Sequence, residues 1–86
     1  MKTINEAFET AQGALAALKA AVRTVLENGP EEGLRNVDVG KCLGIYGGHV
    51  EHVGHISRTV LAMLECDGVA EQFGPEKRWR LVRHVQ

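Results

Sequence analysis

Apolar residues recur along the first third of the chain at Ile4, Phe8, Ala11, Leu15, Leu18, Val22 and Val25, in steps of 4, 3, 4, 3, 4 and 3. This alternation is the a/d spacing of three heptads. It predicts one long helix from Ile4 to Glu27, with Leu26 widening the stripe at its end. Thr3 can cap the start, and Glu6, three residues on, can complete a capping box. At Asn28-Gly29-Pro30 the helix should stop, because asparagine or glycine can take a positive φ and proline cannot continue the ladder.

After a polar link from Pro30, Leu34 is expected to re-enter the core, and a second, shorter helix follows. Asn36 is its predicted N-cap, Asp38 places an anion in the first turn, Val39, Cys42 and Leu43 share one face, and Gly44 ends it. A third helix carries Ile56, Val60, Leu61 and Leu64 at three-to-four spacing and closes at Asp67-Gly68, where glycine can take the left-handed C′ conformation. Beyond it, VAEQF and RWRLV read as two short strands about a turn containing Gly74 and Pro75. In the second strand Trp79 and Leu81 alternate with Arg78 and Arg80, so one face goes to the core and the other presents two guanidinium groups. Trp79 has an in-facing partner in Leu81, which favours a core role over a base-stacking one.

Two helices joined by a glycine-broken connection and followed by a hairpin make the pattern of a helix-turn-helix with a wing. The stretch from Gly33 to Val82, 50 of the 86 residues, resembles the winged-helix DNA-binding superfamily. Within it NVDVGKCLGI and ISRTVLAMLECDGVAEQ lie where that family places its second helix and its recognition helix. The nearest likeness is to the winged-helix modules appended to some restriction-type nucleases. The resemblance implies a mainly α fold with a small β-hairpin, a third helix in the major groove and a wing on the backbone. It further implies binding of double-stranded DNA, as a small transcriptional regulator or as the specificity module of a larger system. Winged helices also serve as protein-interaction modules, so an alternative is a winged helix that engages a protein and no DNA. One departure is the connection from Ile45 to Gly54, which is longer than the three-to-four-residue turn of the simplest motif.

On this reading Ser57, Arg58 and Thr59 occupy the first turns of the recognition helix, where base-reading side chains sit. Arg58 can take a guanine edge in bidentate fashion or hold a phosphate; the bland alternative is a solvated arginine paired with a carboxylate. Lys77 at the hairpin tip, with Arg78 and Arg80, would contact phosphates or the minor groove, and Lys41 and Tyr46 are weaker phosphate candidates. His49, His52 and His55 follow an x2, x2 spacing with Glu51 between them. Three imidazoles three residues apart can converge on zinc if the segment is helical. Gly47, Gly48 and Gly54 argue against a continuous helix there, and no fourth ligand is evident. His52 and His55 are therefore read as polar groups approaching phosphate or a base edge, or as structural histidines, and neither a metal nor a cofactor is expected.

Charge qualifies this picture. The formal net charge is −1, poor support for a nucleic-acid binder, since phosphate neutralisation supplies most non-specific affinity. Residues 1–34 carry three basic and five acidic groups, giving −2, whereas residues 35–86 carry seven and six, giving +1. Lys77, Arg78, Arg80 and Arg83 crowd the wing and chain end, so the dipole points towards DNA, weakly.

The first helix is longer than a winged-helix core needs. Its excess, with Ile4, Phe8, Ala11 and Leu15 on the stripe, predicts a homodimer through this helix, the alanines at 14, 16, 17, 20 and 21 and Gly13 permitting close approach. Folding back over its own domain, or seating on a larger partner, are the alternatives. Eighty-six residues suit one compact domain, with residues 1–28 as the dimerisation and core helix and 33–86 as the winged helix-turn-helix. No apolar run approaches a membrane span and no signal-peptide layout opens the chain, which points to the cytoplasm. Cys42 and Cys66 form no CxxC pair and read as buried thiols, with a disulfide between neighbouring helices left open. No phosphate loop, acid/base set or nucleophile context supports an enzyme.

Overall fold

The computed structural model describes residues 3–47 and 53–83. Three helices and one antiparallel hairpin follow in the order α1 (Ile4–Glu27), α2 (Asn36–Cys42), α3 (His55–Cys66), β1 (Ala70–Phe73) and β2 (Arg78–Leu81). None of the helices described is long and apolar enough to cross a membrane.

Helix α1 begins as its residues dictate. The Glu6 amide donates to Thr3 Oγ1 at 3.1 Å and the Thr3 amide donates to Glu6 Oε1 at 3.3 Å, a complete capping box. Its end differs from expectation, because Asn28 caps it at φ −98° and no positive φ occurs at either Asn28 or Gly29. Gly29 is close-packed instead: a Cβ there would lie 2.9 Å from Leu34 Cδ1 and 3.2 Å from the Val25 carbonyl oxygen. Burial then divides the helix. Val22 and Leu26 are in the core, with Leu18 and Val25 packed against it, while residues 4–14 are all exposed.

Leu34 joins the hairpin as a single-residue third strand. Its amide donates to the Trp79 carbonyl at 3.0 Å and its carbonyl accepts from the Trp79 amide at 2.7 Å. Gly33, at φ +82°, makes this approach possible, since a Cβ would sit 2.7 Å from both the Phe73 ring and the Trp79 carbonyl oxygen. In the hairpin Ala70 pairs with Leu81, Glu71 with Arg80, Gln72 with Trp79 and Phe73 with Arg78. Trp79 is buried as expected and Leu81 packs against the core.

Helix α2 starts one residue earlier than the sequence suggests, with Arg35 rather than Asn36 as N-cap. The Arg35 amide donates to Asp38 Oδ2 at 3.1 Å. Helix α3 ends in a Schellman arrangement, the Val69 amide donating to the Leu64 carbonyl at 2.9 Å and the Gly68 amide to the Glu65 carbonyl at 3.0 Å, with Gly68 at φ +75°. Val39, Val60, Leu61, Leu64 and Ala70 complete the core. Two expected core faces are narrower than predicted. Ile56 is 40% exposed, and both cysteines are exposed free thiols rather than buried ones.

Candidate nucleic-acid interface

The start of α3 is held by a small polar network that the sequence pattern does not announce. Ser57 Oγ donates to Asn36 Oδ1 at 2.7 Å and lies 3.1 Å from the Gly54 carbonyl, which also accepts from Asn36 Nδ2 at 3.1 Å and from the Arg58 amide at 3.1 Å. This ties the first residue of α2 to the cap of α3. It also removes Ser57 from the base-reading set, because the side chain is completely buried and its hydroxyl is used inside the chain. Asn36 does not cap α2 for the same reason: its amide is spent on the neighbouring helix.

Tyr46 packs between the two helices. Its half-buried ring lies against both Gly40 of α2 and Gly54 at the cap of α3, so a Cβ on Gly40 would meet the Tyr46 side chain at 2.9 Å and one on Gly54 would meet its ring at 2.5 Å. Gly54 takes φ +80° at the cap of α3, a conformation that side chains resist. Lys41 is exposed, with Nζ 5.7 Å from the Tyr46 ring centroid.

Arg58 stands exposed on α3, one guanidinium nitrogen donating to the Val53 carbonyl at 3.3 Å. Among the described residues it has no carboxylate at ion-pair distance. His55 and Thr59 are exposed on the same helix. Thr59 lies at the rim of a groove shared with α1. His49 and His52, with Glu51, fall outside the described residues, and no metal-binding group of three or more ligands occurs among the described ones.

On the hairpin the arginines are partnered within the chain. Arg80 Nε meets Glu71 Oε2 at 2.7 Å and its guanidinium lies 3.9 Å from the Phe73 ring centroid. Arg78 Nε meets Glu76 Oε2 at 2.6 Å, and Arg78 also donates to the Gly33 carbonyl at 3.3 Å. Hairpin register explains the first pair: Glu71 and Arg80 are directly opposed, the cross-strand arrangement that favours opposite charges. Lys77 is different. It sits exposed in the turn at φ +51°, with its amide donating to the Gly74 carbonyl at 3.2 Å.

The geometry therefore sorts the cations into two groups. Arg78, Arg80, Arg35 (3.1 Å from Asp38) and Lys19 (3.1 Å from Asp67) are ion-paired, while Arg58, Lys77 and Lys41, like Arg23 and Arg83, are exposed with no ion pair among the described residues. Asp38 is held below the ordinary carboxylate range, first by its side-chain hydrogen bonds from Arg35, against a smaller opposing effect of burial. Comparison with protein-family models, curated proteins and solved structures found no match for this chain.

Proposed function

We propose that this chain is a winged helix-turn-helix protein that binds double-stranded DNA, as a small cytoplasmic regulator or a specificity module, and does so as a homodimer through α1. Supporting the fold is the chain order, in which Leu34 pairs with β2 between α1 and α2, and β1 and β2 follow α3 directly. The observation that carries the function is Arg58, exposed near the start of α3 on the flank beside the face that Ser57, Val60, Leu61 and Leu64 lock into the core. A guanidinium there can reach a guanine edge or a phosphate. Lys77 at the wing tip and Lys41 on α2 supply phosphate contacts, and Arg78 and Arg80 contribute less because their carboxylate partners screen them. No catalytic step belongs to this reading.

Titration of a fluorescent random-sequence duplex over a range of salt concentrations tests it. Each phosphate neutralised contributes a log–log slope of roughly −0.9, so contacts from Lys41, Arg58 and Lys77 give a slope of about −3 per chain. Arg58→Ala should weaken binding and flatten that slope by about 1. Absence of binding at low salt would reject the DNA reading. A protein-interaction winged helix is the second reading, favoured by the carboxylate partners on the wing and by the exposed apolar side chains of α1.

A further inference from the structure

The first three turns of α1 form an apolar ridge that none of the described residues covers. Ile4 is 88% exposed and Phe8 63%, yet the helix start carries its full capping box, so the ridge is a defined helix rather than a frayed end. At Leu15 the ridge runs into a shallow, mainly apolar groove between α1 and α3, whose other wall is Thr59, Ala62, Met63 and Cys66. The Lys19–Asp67 ion pair closes the far end of this groove.

Charge placement identifies what the ridge suits. With Phe8 and Leu15 at a positions and Ile4 and Ala11 at d, the flanking e and g positions are Asn5, Ala7, Gln12 and Ala14. Glu6 and Glu9 fall on the outer f and b positions. Flanking e and g positions are where coiled-coil partners are selected by charge. Here they carry none, so the ridge can meet its own copy without opposing like charges, and the alanines let two backbones approach closely.

Size shows that α1 is not the whole seam. A stable interface covers about 800 Å² on each partner. Three helical turns are only about 18 Å long, and a fully covered phenylalanine brings roughly 200 Å². A stripe of one phenylalanine, one isoleucine, one leucine and small residues falls short, and the adjoining wall of α3 is contiguous apolar surface that extends it. Resting on the dimer reading above, we propose that two copies associate by seating residues 4–15 of each on the other's α1–α3 groove. Ala62, Met63 and Cys66 thereby belong to the dimer seam. Thr59, at the rim, turns to the seam, and the Arg58 edge of α3 is what remains for a duplex.

Sedimentation velocity of the wild type, Phe8→Glu and Ala62→Glu, each checked for helicity by circular dichroism, tests the seam. Thiol labelling of Cys66 in a Cys42→Ser background, at low and high protein concentration, provides a second readout independent of any groove substitution. The expected result is a wild-type dimer, at least tenfold weaker association in both variants, and several-fold slower Cys66 labelling at concentrations where the dimer forms. A wild type that stays monomeric at every concentration overturns the dimer reading and this inference together. A dimer broken by Phe8→Glu but unaffected by Ala62→Glu, with Cys66 labelled equally fast in monomer and dimer, overturns the groove alone and leaves the α1 dimer standing. Should Ala62→Glu fail to fold, the labelling rates decide.

Discussion

The two halves of α1 have the same heptad spacing and opposite fates. From Leu18 onward the stripe is packed, Val22 completely and Leu26 nearly so, against α2, α3 and the hairpin; from Ile4 to Ala14 every residue is exposed. Periodicity thus fixes that a face must be apolar without fixing what covers it. The cations teach the same lesson: Arg80 and Lys77 are three residues apart in one hairpin, yet one is ion-paired and stacked on a ring while the other extends from the turn.

The largest contrast should appear in monomer stability. Leu26→Ala removes a packed side chain and is expected to cost roughly 2–4 kcal/mol, whereas Phe8→Ala, measured in dilute protein by urea unfolding, should change stability by less than about 0.5 kcal/mol. On the proposed dimer the two variants should converge at high concentration, because association would stabilise by mass action only the chain that keeps Phe8. Equal costs in dilute protein would mean that the two halves of α1 are not differently packed.

A second contrast lies within α3. Ser57→Ala leaves Asn36 Oδ1 without its 2.7 Å donor and should destabilise by about 1–2 kcal/mol. Thr59→Ala, two residues on and exposed, should be within about 0.5 kcal/mol of the wild type. Thermal or denaturant unfolding of the pair would read this difference directly.

Much of the fold was legible in the sequence. The boundaries of α1 follow from Thr3, Glu6 and the Asn28-Gly29-Pro30 stop; the hairpin follows from alternation about Gly74, with Trp79 inward. What was hidden depended on where two elements met. Asn36 looks like a cap by residue type, and only contact with Gly54 and Ser57 diverts its amide to α3. Ser57 was legible in principle, since positions 57, 60, 61 and 64 follow the +3, +4, +7 rule; choosing Ile56 as the start of that stripe put Ser57 outside. Cys66 lies two residues beyond Leu64, about 200° round the helix, on the far side from the core. For the hairpin, a four-residue loop opposes Glu71 to Arg80, so the neutralisation of that arginine could have been read from register alone.

Under the proposed DNA reading, the hairpin contrast carries over to binding. Lys77→Ala should reduce the salt slope of duplex binding by about 1, and Arg80→Ala by distinctly less, because Glu71 already holds that guanidinium. The single change Glu71→Gln should sharpen the comparison by releasing Arg80 and steepening the slope. A larger loss from Arg80→Ala than from Lys77→Ala would show that the Glu71 pair breaks on contact with DNA.

The smallest expected effect concerns acid, at the Arg35–Asp38 pair that starts α2. Asp38 accepts from the Arg35 amide and, through both carboxylate oxygens, from the Arg35 guanidinium at 3.1 and 3.2 Å. These bonds lower its folded-state pKa relative to the unfolded chain. A depressed carboxylate stabilises the fold at pH values above its unfolded pKa, near 4, and that contribution disappears as pH falls through the lower folded value. Arg35 is shifted upward by the same contacts, beyond any pH at which it would compensate. The stability difference between the wild type and Asp38→Asn should therefore be constant above about pH 5 and shrink as pH falls below about 4, through the lower folded value. Because α2 and its cap lie far along the chain from the exposed turns of α1, Phe8→Ala should leave this acid dependence unchanged; a shift would mean that the open half of α1 contributes to the fold of the monomer after all.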